Sequence, residues 1–201
     1  MMLQKFIIIP NPMNIYFNLT KRIIDILVSG TLLLVLFIPL TLVAFIIMLE
    51  SKGPILFLQD RLGKNGKIFQ VYKFRSMRVK ENRVEKQVFK DHPDVTFFGE
   101  FIRRFKVDEL PQLINVLIGD MSLVGPRPCL PSLKEKFDDN AFYRLKVRPG
   151  LTGWAQVNGN IYNSWPKRWE YDRFYAENQS LYFDLKILIL TIKVVIFGEE
   201  K

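Results

Sequence analysis

The stretch ILVSGTLLLVLFIPLTLVAFIIML, residues 26–49, decides how this chain is read: 24 consecutive residues carry no charge. At ~1.5 Å per residue, a helix of that length reaches across a bilayer core. The stretch is too long and too far from the N-terminus for a secretory signal, and no small-residue cleavage site follows it. Pro39 interrupts it. A mid-helix proline removes one backbone bond and clashes with the carbonyl four residues earlier, here Val35, so a bend is expected. Thr41 is spaced to back-bond the carbonyl of Phe37. Two readings of 23–49 follow: a straight single-pass helix, or a re-entrant hairpin that dips in and returns. The flanks favour the second. Lys21 and Arg22 precede the segment, and Lys52 and a basic domain follow it. A spanning helix puts one basic flank outside, against the positive-inside tendency, whereas a hairpin keeps both on one side. Asp25 fits an interfacial depth rather than the bilayer centre. Lys21, Arg22, Asp25 and Pro39 are therefore candidate membrane or lipid residues.

The 201 residues suit one domain of ordinary size, and 49% hydrophobic residues exclude a disordered tail. The net charge of +9 points to anionic partners: nucleic acid, phosphate-bearing substrates or an acidic membrane surface. A nucleic-acid-binding role leaves the apolar segment unaccounted for, and no recognised binding motif is present. Cys129 is the single cysteine, so no internal disulfide forms. His92 is the single histidine, so a His-rich metal site is excluded. A metal here sits on oxygen ligands, which suits Mg²⁺ or Mn²⁺.

Outward from the apolar segment, residues 1–20 read as an N-terminal extension. Residues 53–80 read as turn, strand, turn, strand, with strands at 55–58 and 68–77 and a turn at 63–66. Seven basic residues and no acid lie between 61 and 80. Residues 81–95 read as a loop or a frayed helix. Helical spacing predicts helices over 97–106 and 109–118, the second burying Leu110, Leu113, Ile114, Leu117 and Ile118 and stopping at Gly119. Further helices are expected over 132–146 and 181–197, the last buried or interfacial.

The chemistry concentrates in Lys106-Val-Asp-Glu-Leu-Pro-Gln112. Asp108 and Glu109 are adjacent carboxylates at the start of a helix. They read either as a helix cap or as a carboxylate nucleophile beside a metal-binding or acid–base partner. Arg103 and Arg104 lie about one turn earlier. Arg127 stands between Pro126 and Pro128, and Arg148 precedes Pro149. Prolines stiffen the loops that present these arginines, lowering the entropy lost when they grip a phosphate. Arginines around a carboxylate pair suggest a diphosphate clamp. In Gly153-Trp-Ala-Gln-Val-Asn-Gly159 the amides of Gln156 and Asn158 are candidates for reading a base or sugar, against a plain turn. Trp165, Trp169, Tyr171 and Tyr175 form an aromatic cluster that reads as core, against stacking on a base or a place at the membrane interface.

These segments occur in one order: KRIID at 21–25, YKFRSM at 72–77, DELPQLINVLIGDMSLVGPRP at 108–128, VRPGLTGWAQVNG at 147–159 and YD at 171–172. Together they resemble the bacterial sugar transferase family, the small monotopic polyprenyl-phosphate phosphoglycosyl transferases, over about residues 20–197. The resemblance implies an α+β fold: a small, mostly helical catalytic domain over 51–201 with short strands, anchored by a re-entrant, proline-broken helix over 21–50 and by interfacial amphipathic helices. It implies a bacterial inner-membrane enzyme on the cytoplasmic face. Asp108 is implied as nucleophile and Glu109 as its Mg²⁺-associated partner, both near the metal. The implied donor is a UDP-sugar and the implied acceptor a polyprenyl phosphate, with membrane lipid as the further partner and no nucleic acid. Lys73, Arg75, Arg103, Arg127 and Arg148 match basic positions of the motifs and are expected to contact phosphate. The sequence names no oligomeric state. It departs from many members in having Ile38 before Pro39 and Asn160 after QVNG. The rival reading is a single-pass membrane protein whose basic domain binds lipid or a partner.

Overall fold

A computed structural model describes residues 12–79 and 93–197, with side chains from residue 19 onward. His92 and most of the polar stretch 81–95 lie outside the described residues. The N-terminal helix α1 (Pro12–Val35) runs unbroken through the expected boundary at residue 20 and meets α2 (Phe37–Glu50) at a 62° bend. The break falls at Leu36, next to the carbonyl that Pro39 leaves without a donor. On either side the ladder continues, Leu36 N–H to Leu32 and Leu40 N–H to Leu36, each at 2.8 Å. Thr41 Oγ1 back-bonds Phe37 at 2.8 Å, as its spacing predicts. Among the described residues no single helix is long and apolar enough to cross a membrane, although the bent pair passes that test together.

An antiparallel hairpin follows, β1 (Leu56–Leu62) and β2 (Ile68–Phe74), with Leu56 opposite Phe74 and Leu62 opposite Ile68. β1 runs past the expected residue 58 because an antiparallel hairpin tolerates polar residues on its open face. β2 stops at Phe74 instead of Met77. Arg75 N–H turns to Ile55, and Met77 forms only an isolated bridge to Val95. Asn65 adopts φ 59° in the tight connection.

Helix α3 (Phe97–Arg104) starts where Thr96 caps Gly99 N–H at 2.9 Å. A 3-10 turn at Val107–Glu109 precedes α4 (Gln112–Ile118), so α4 starts later than the expected residue 109. Gly119, at φ 104°, ends it. The buried face of α4 also differs from the apolar stripe. Gln112, Leu113, Asn115 and Val116 are buried, while Ile114, Leu117 and Ile118 remain partly or well exposed. Short parallel strands β3 (Ser122–Val124) and β4 (Gly150–Thr152) follow, then α5 (Trp154–Val157), α6 (Trp165–Glu177) and α7 (Leu181–Phe197). The helix expected over 132–146 is instead two 3-10 segments, Pro131–Lys136 and Ala141–Lys146. Asp138 Oδ1 accepts from Ala141 N–H at 2.8 Å, a local bond that competes with a continuous helix.

Two cores hold this α+β arrangement together. The larger gathers Val71 of β2, Leu113 and Val116 of α4, Leu123 and Val124 of β3, Tyr175 of α6, and Phe183 and Ile187 of α7. The smaller joins Ile47 of α2 to Phe74 and to Ile102 of α3. Asn115, fully buried, clips α4 to β2. Its Nδ2 donates to Gln70 O at 2.7 Å, and its Oδ1 accepts from Tyr72 N–H at 3.0 Å.

Both ends of the α1–α2 pair are fastened to this domain. Lys21 Nζ meets Asp184 Oδ2 at 2.5 Å, and the Arg22 guanidinium donates to the carbonyls of Val116 and Leu117 at the end of α4. Asp25 is buried and accepts Leu123 N–H at 3.1 Å, so it faces β3 rather than a lipid surface. At the other end, the buried Arg75 donates to the carbonyls of Ile47, Ser51 and Lys52 at 3.3, 2.6 and 2.9 Å. Large apolar side chains stay exposed along the pair, Leu34 at 80% and Ile38 at 70%, and on α3 and α7, Phe97 at 90% and Phe197 at 80%.

Candidate active site

The site forms where β2 meets the 3-10 turn. Strand alternation puts Val71 and Lys73 on one face of β2; Val71 enters the core and Lys73 stands beside the turn. Lys106 occupies the left-handed region at φ 57°, a conformation costing a side-chain-bearing residue roughly 1–2 kcal/mol. This turns the chain sharply after α3 and presents Asp108 and Glu109 instead of winding them into α4. The capping reading of the pair fails: Pro111 is the residue before α4, and no side chain caps that helix.

The two carboxylates sit in different surroundings. Glu109 is buried. Lys73 Nζ donates to its Oε1 at 2.8 Å, and Arg127 grips it twice, Nη2 to Oε1 at 2.5 Å and Nη1 to Oε2 at 3.1 Å. Burial opposes ionisation, but Arg127 and Lys73 together outweigh it and hold the Glu109 carboxyl well below the usual carboxylate range. Burial in turn lowers the Lys73 ammonium from its ordinary value, with Glu109 pulling the other way. Asp108 is half-buried and, among the described residues, makes no side-chain hydrogen bond or ion pair. Its pKa is raised to about 6, first by burial and then by the Glu109 charge, against the opposing pull of Lys73, Arg103 and Arg127. Neighbouring carboxylates driven apart in this way take different chemical roles. Glu109 is a fixed anion; Asp108 is the one whose oxygen lone pairs are open to react.

Supporting residues lie behind Arg127. Arg144 Nη2 donates to the Arg127 carbonyl and approaches Asp172 Oδ2 at 3.5 Å, and both Arg144 and Asp172 are buried. Burial pushes Asp172 up to about 6 despite Arg144 and Arg168. Gln112 lies on the buried side of α4, with its Nε2 donor unpartnered. Together with Arg61, Lys73, Arg127 and Pro128 it lines a small pocket beside the carboxylate pair. A buried amide donor among three cationic side chains suits phosphate oxygens.

Of the residues singled out from sequence, Lys73, Arg103 and Arg127 surround or electrostatically act on the pair. Others serve elsewhere. Arg75 caps the end of α2. Arg148 donates from Nε to Gly119 O at 2.9 Å, at the far end of α4. Gln156 Nε2 bonds Leu151 O at 3.1 Å, and Asn158 Nδ2 bonds Trp154 O at 2.7 Å, so both brace their own loop. Of the four aromatics read as core, Trp169 and Tyr175 are buried, whereas Trp165 and Tyr171 are only partly buried. Sequence reasoning gave no role to Gln112, Asn115 or Arg144. Gln112 and Asn115 had one signal, polar residues three apart in an apolar helix; Arg144 had none, since its partners are distant in sequence.

The donor set bears on a metal. Among the described residues no third His, Cys, Asp or Glu joins the pair. A carboxylate offers about four lone-pair sites, and three hydrogen bonds from Lys73 and Arg127 leave one on Glu109 Oε2. That site and Asp108 together fit a hard cation that takes its other ligands from water and phosphate, as Mg²⁺ does.

Residues 16–198 match the family described as bacterial sugar transferase. The chain is 43% identical over 184 residues to the UDP-glucose:undecaprenyl-phosphate glucose-1-phosphate transferase of Escherichia coli K12, covering 87% of this chain and 40% of that protein. It is 43% identical over 202 residues to the undecaprenyl-phosphate glucose phosphotransferase of Komagataeibacter xylinus, covering 94% and 38%. It is 40% identical over 179 residues to the uncharacterized sugar transferase EpsL of Bacillus subtilis, covering 89% and 88%. The chain thus spans about two fifths of the length of the first two relatives and matches EpsL over most of both chains.

Proposed function

This chain belongs to the bacterial sugar transferase family, and from that premise we propose that it is a phosphoglycosyl transferase moving a sugar 1-phosphate from a UDP-sugar to a polyprenyl phosphate such as undecaprenyl phosphate. The observation that carries the reading is the split between the two carboxylates, Glu109 clamped by Lys73 and Arg127 and Asp108 left open. In the first half-reaction an Asp108 carboxylate oxygen attacks the sugar-bearing phosphorus, and the bond to the bridging oxygen breaks, so UMP departs with that oxygen. In the second, a phosphate oxygen of the polyprenyl phosphate attacks the same phosphorus. The Asp108 oxygen leaves as carboxylate and polyprenyl-diphospho-sugar forms. Lys73, Arg127 and the Gln112 amide offset charge on the phosphoryl oxygens, which is the main demand of phosphoryl transfer. Mg²⁺ held by Asp108 and Glu109 would neutralise further diphosphate charge.

The α1–α2 pair, residues 21–50 of it, is the membrane element in this proposal, and 51–201 the catalytic domain on the cytoplasmic face of the inner membrane. Support comes from the docking of both ends of the pair on one domain. The exposed apolar faces of α3 and α7 suit the lipid interface, with membrane lipid as the partner.

The test is UMP release by detergent-purified protein with a panel of UDP-sugars, Mg²⁺ and undecaprenyl phosphate, beside Asp108→Asn. Lipid-dependent turnover that vanishes in the variant supports the proposal. Near-normal activity in Asp108→Asn refutes the covalent route.

A further inference from the structure

A second cationic cleft lies at the opposite end of α4 from Glu109. It is lined by Lys21 and Asp25 of α1, Lys64 of the β1–β2 connection, Ser122 of β3, Arg148 and Gln179. It shares no lining residue with the pocket that holds Lys73, Gln112 and Arg127. The seven residues of α4 put about 10 Å between the two places.

Two features of this cleft are unexplained by the fold. Lys21 is neutralised by Asp184, but no carboxylate among the described residues pairs with Lys64 or Arg148. Asp25 turns one oxygen to Leu123 N–H. Two cations therefore face the cleft with incomplete compensation, and burial, followed by repulsion from Arg148, lowers the Lys64 pKa. Finally, Ser122 is 1% exposed, yet its hydroxyl has no hydrogen-bond partner. A buried hydroxyl left unpaired is costly, and one lining a cationic cleft is suited to donate to an anion.

We propose that this cleft binds a phosphate oxyanion between Lys64 and Arg148, with Ser122 Oγ as donor, at a place separate from the Asp108–Glu109 pair. The oxyanion could come from free phosphate or from the headgroup of an acidic phospholipid beside the start of α1. Lys64 and Arg148, set against the Asp25 carboxylate of the same cleft, leave one net positive charge, which a monoanionic phosphate matches.

Lysine acetylation by an amine-reactive ester, read peptide by peptide by mass spectrometry, tests this on the full chain. Lys67, exposed on the same turn, is the internal control. Inorganic phosphate, added to protein in neutral detergent against chloride of equal ionic strength, should slow Lys64 acetylation several-fold and leave Lys67 unchanged; that outcome identifies a free-phosphate site. Protection by vesicles containing phosphatidic acid, but not by phosphatidylcholine vesicles or inorganic phosphate, identifies a lipid headgroup. In either case Ser122→Ala should weaken the protection. Equal protection of Lys64 and Lys67, no protection by either probe, or protection undiminished in Ser122→Ala overturns the proposal.

Discussion

Replacing Asn115 tests how the site is held in place. Its amide satisfies two backbone groups of β2, Gln70 O at 2.7 Å and Tyr72 N–H at 3.0 Å, from a side chain with no exposed surface. Asn115→Ala removes both partners at once. A buried backbone group left unpaired costs about 1–3 kcal/mol, and partial access of water to β2 keeps the sum at about 2–4 kcal/mol. For a chain of this size each kcal/mol moves the melting midpoint by about 2–4 °C, so a drop of about 4–16 °C is expected in detergent. The damage reaches the chemistry because Lys73, which holds Glu109, is the residue after Tyr72. Turnover should fall as well, even below the new midpoint. Asn115→Asp gives the sharper comparison. It keeps an acceptor for Tyr72 N–H but sets a carboxylate oxygen against Gln70 O and buries a charge, so it should be at least as destabilising as alanine. Wild-type stability in Asn115→Asp, followed by thermal unfolding at pH 7, would refute the clip.

Glu109→Gln should cut UMP release by about 100-fold or more and lower stability, because Lys73 and Arg127 lose their shared counter-charge; steady-state rates and melting curves check both. Arg75→Met should cost about 2–4 kcal/mol by freeing three carbonyls at the end of α2, and limited proteolysis should cut near Gly53 faster. Asp172 has a folded pKa raised to about 6 from an ordinary 3.8, so the folded state binds the proton more tightly. Its penalty is full above pH 6 and is relieved as pH falls towards 4, by about 1.4 kcal/mol per unit; Asp172→Asn should remove that part of the pH dependence of the melting midpoint. Cysteines placed at Thr20 and Lys52, both exposed, should react with an impermeant maleimide from the same side of sealed vesicles, and labelling from opposite sides would sink the hairpin.

What was legible in the sequence follows from the range of the interactions involved. The bend near Pro39 was readable because the clash lies four residues away. Gly119 and Thr41 behave as local rules dictate. The helix expected over 132–146 failed because spacing counts apolar residues and does not see Asp138 closing a turn on Ala141. The buried face of α4 was misread for a related reason. Periodicity assumes that water is the alternative to the core, so Ile114, Leu117 and Ile118 looked internal, whereas Asn115 earns its burial by bonding β2. At the site, Asp108 and Glu109 were findable as neighbours in sequence. The difference in their surroundings was not, since it depends on Lys73 and Arg127, contributed from β2 and from the segment between the two prolines. Arg75 and Arg148 matched motif positions equally well and went to helix ends instead.

The placement of Arg75 has a mechanical consequence. Lys73 and Arg75 are two residues apart, at the end of β2 and just past it. The first bonds Glu109, and the second bonds the last carbonyls of α2. Val107, beside the Asp108–Glu109 turn, packs on the same small core as Ile47 of α2 and Phe74 between the two cations. One short segment therefore fixes the carboxylate pair relative to the end of the bent helix. If α2 sits in lipid, the height of Asp108 above the bilayer is set by this segment rather than by a flexible linker. In the proposed reaction, an acceptor with its phosphate at the headgroup level and its tail in the membrane would need a nucleophile held at constant depth. A link through residues 73–75 would meet that need, and on that reading the buried Arg75 ends α2 on the same segment that carries Lys73.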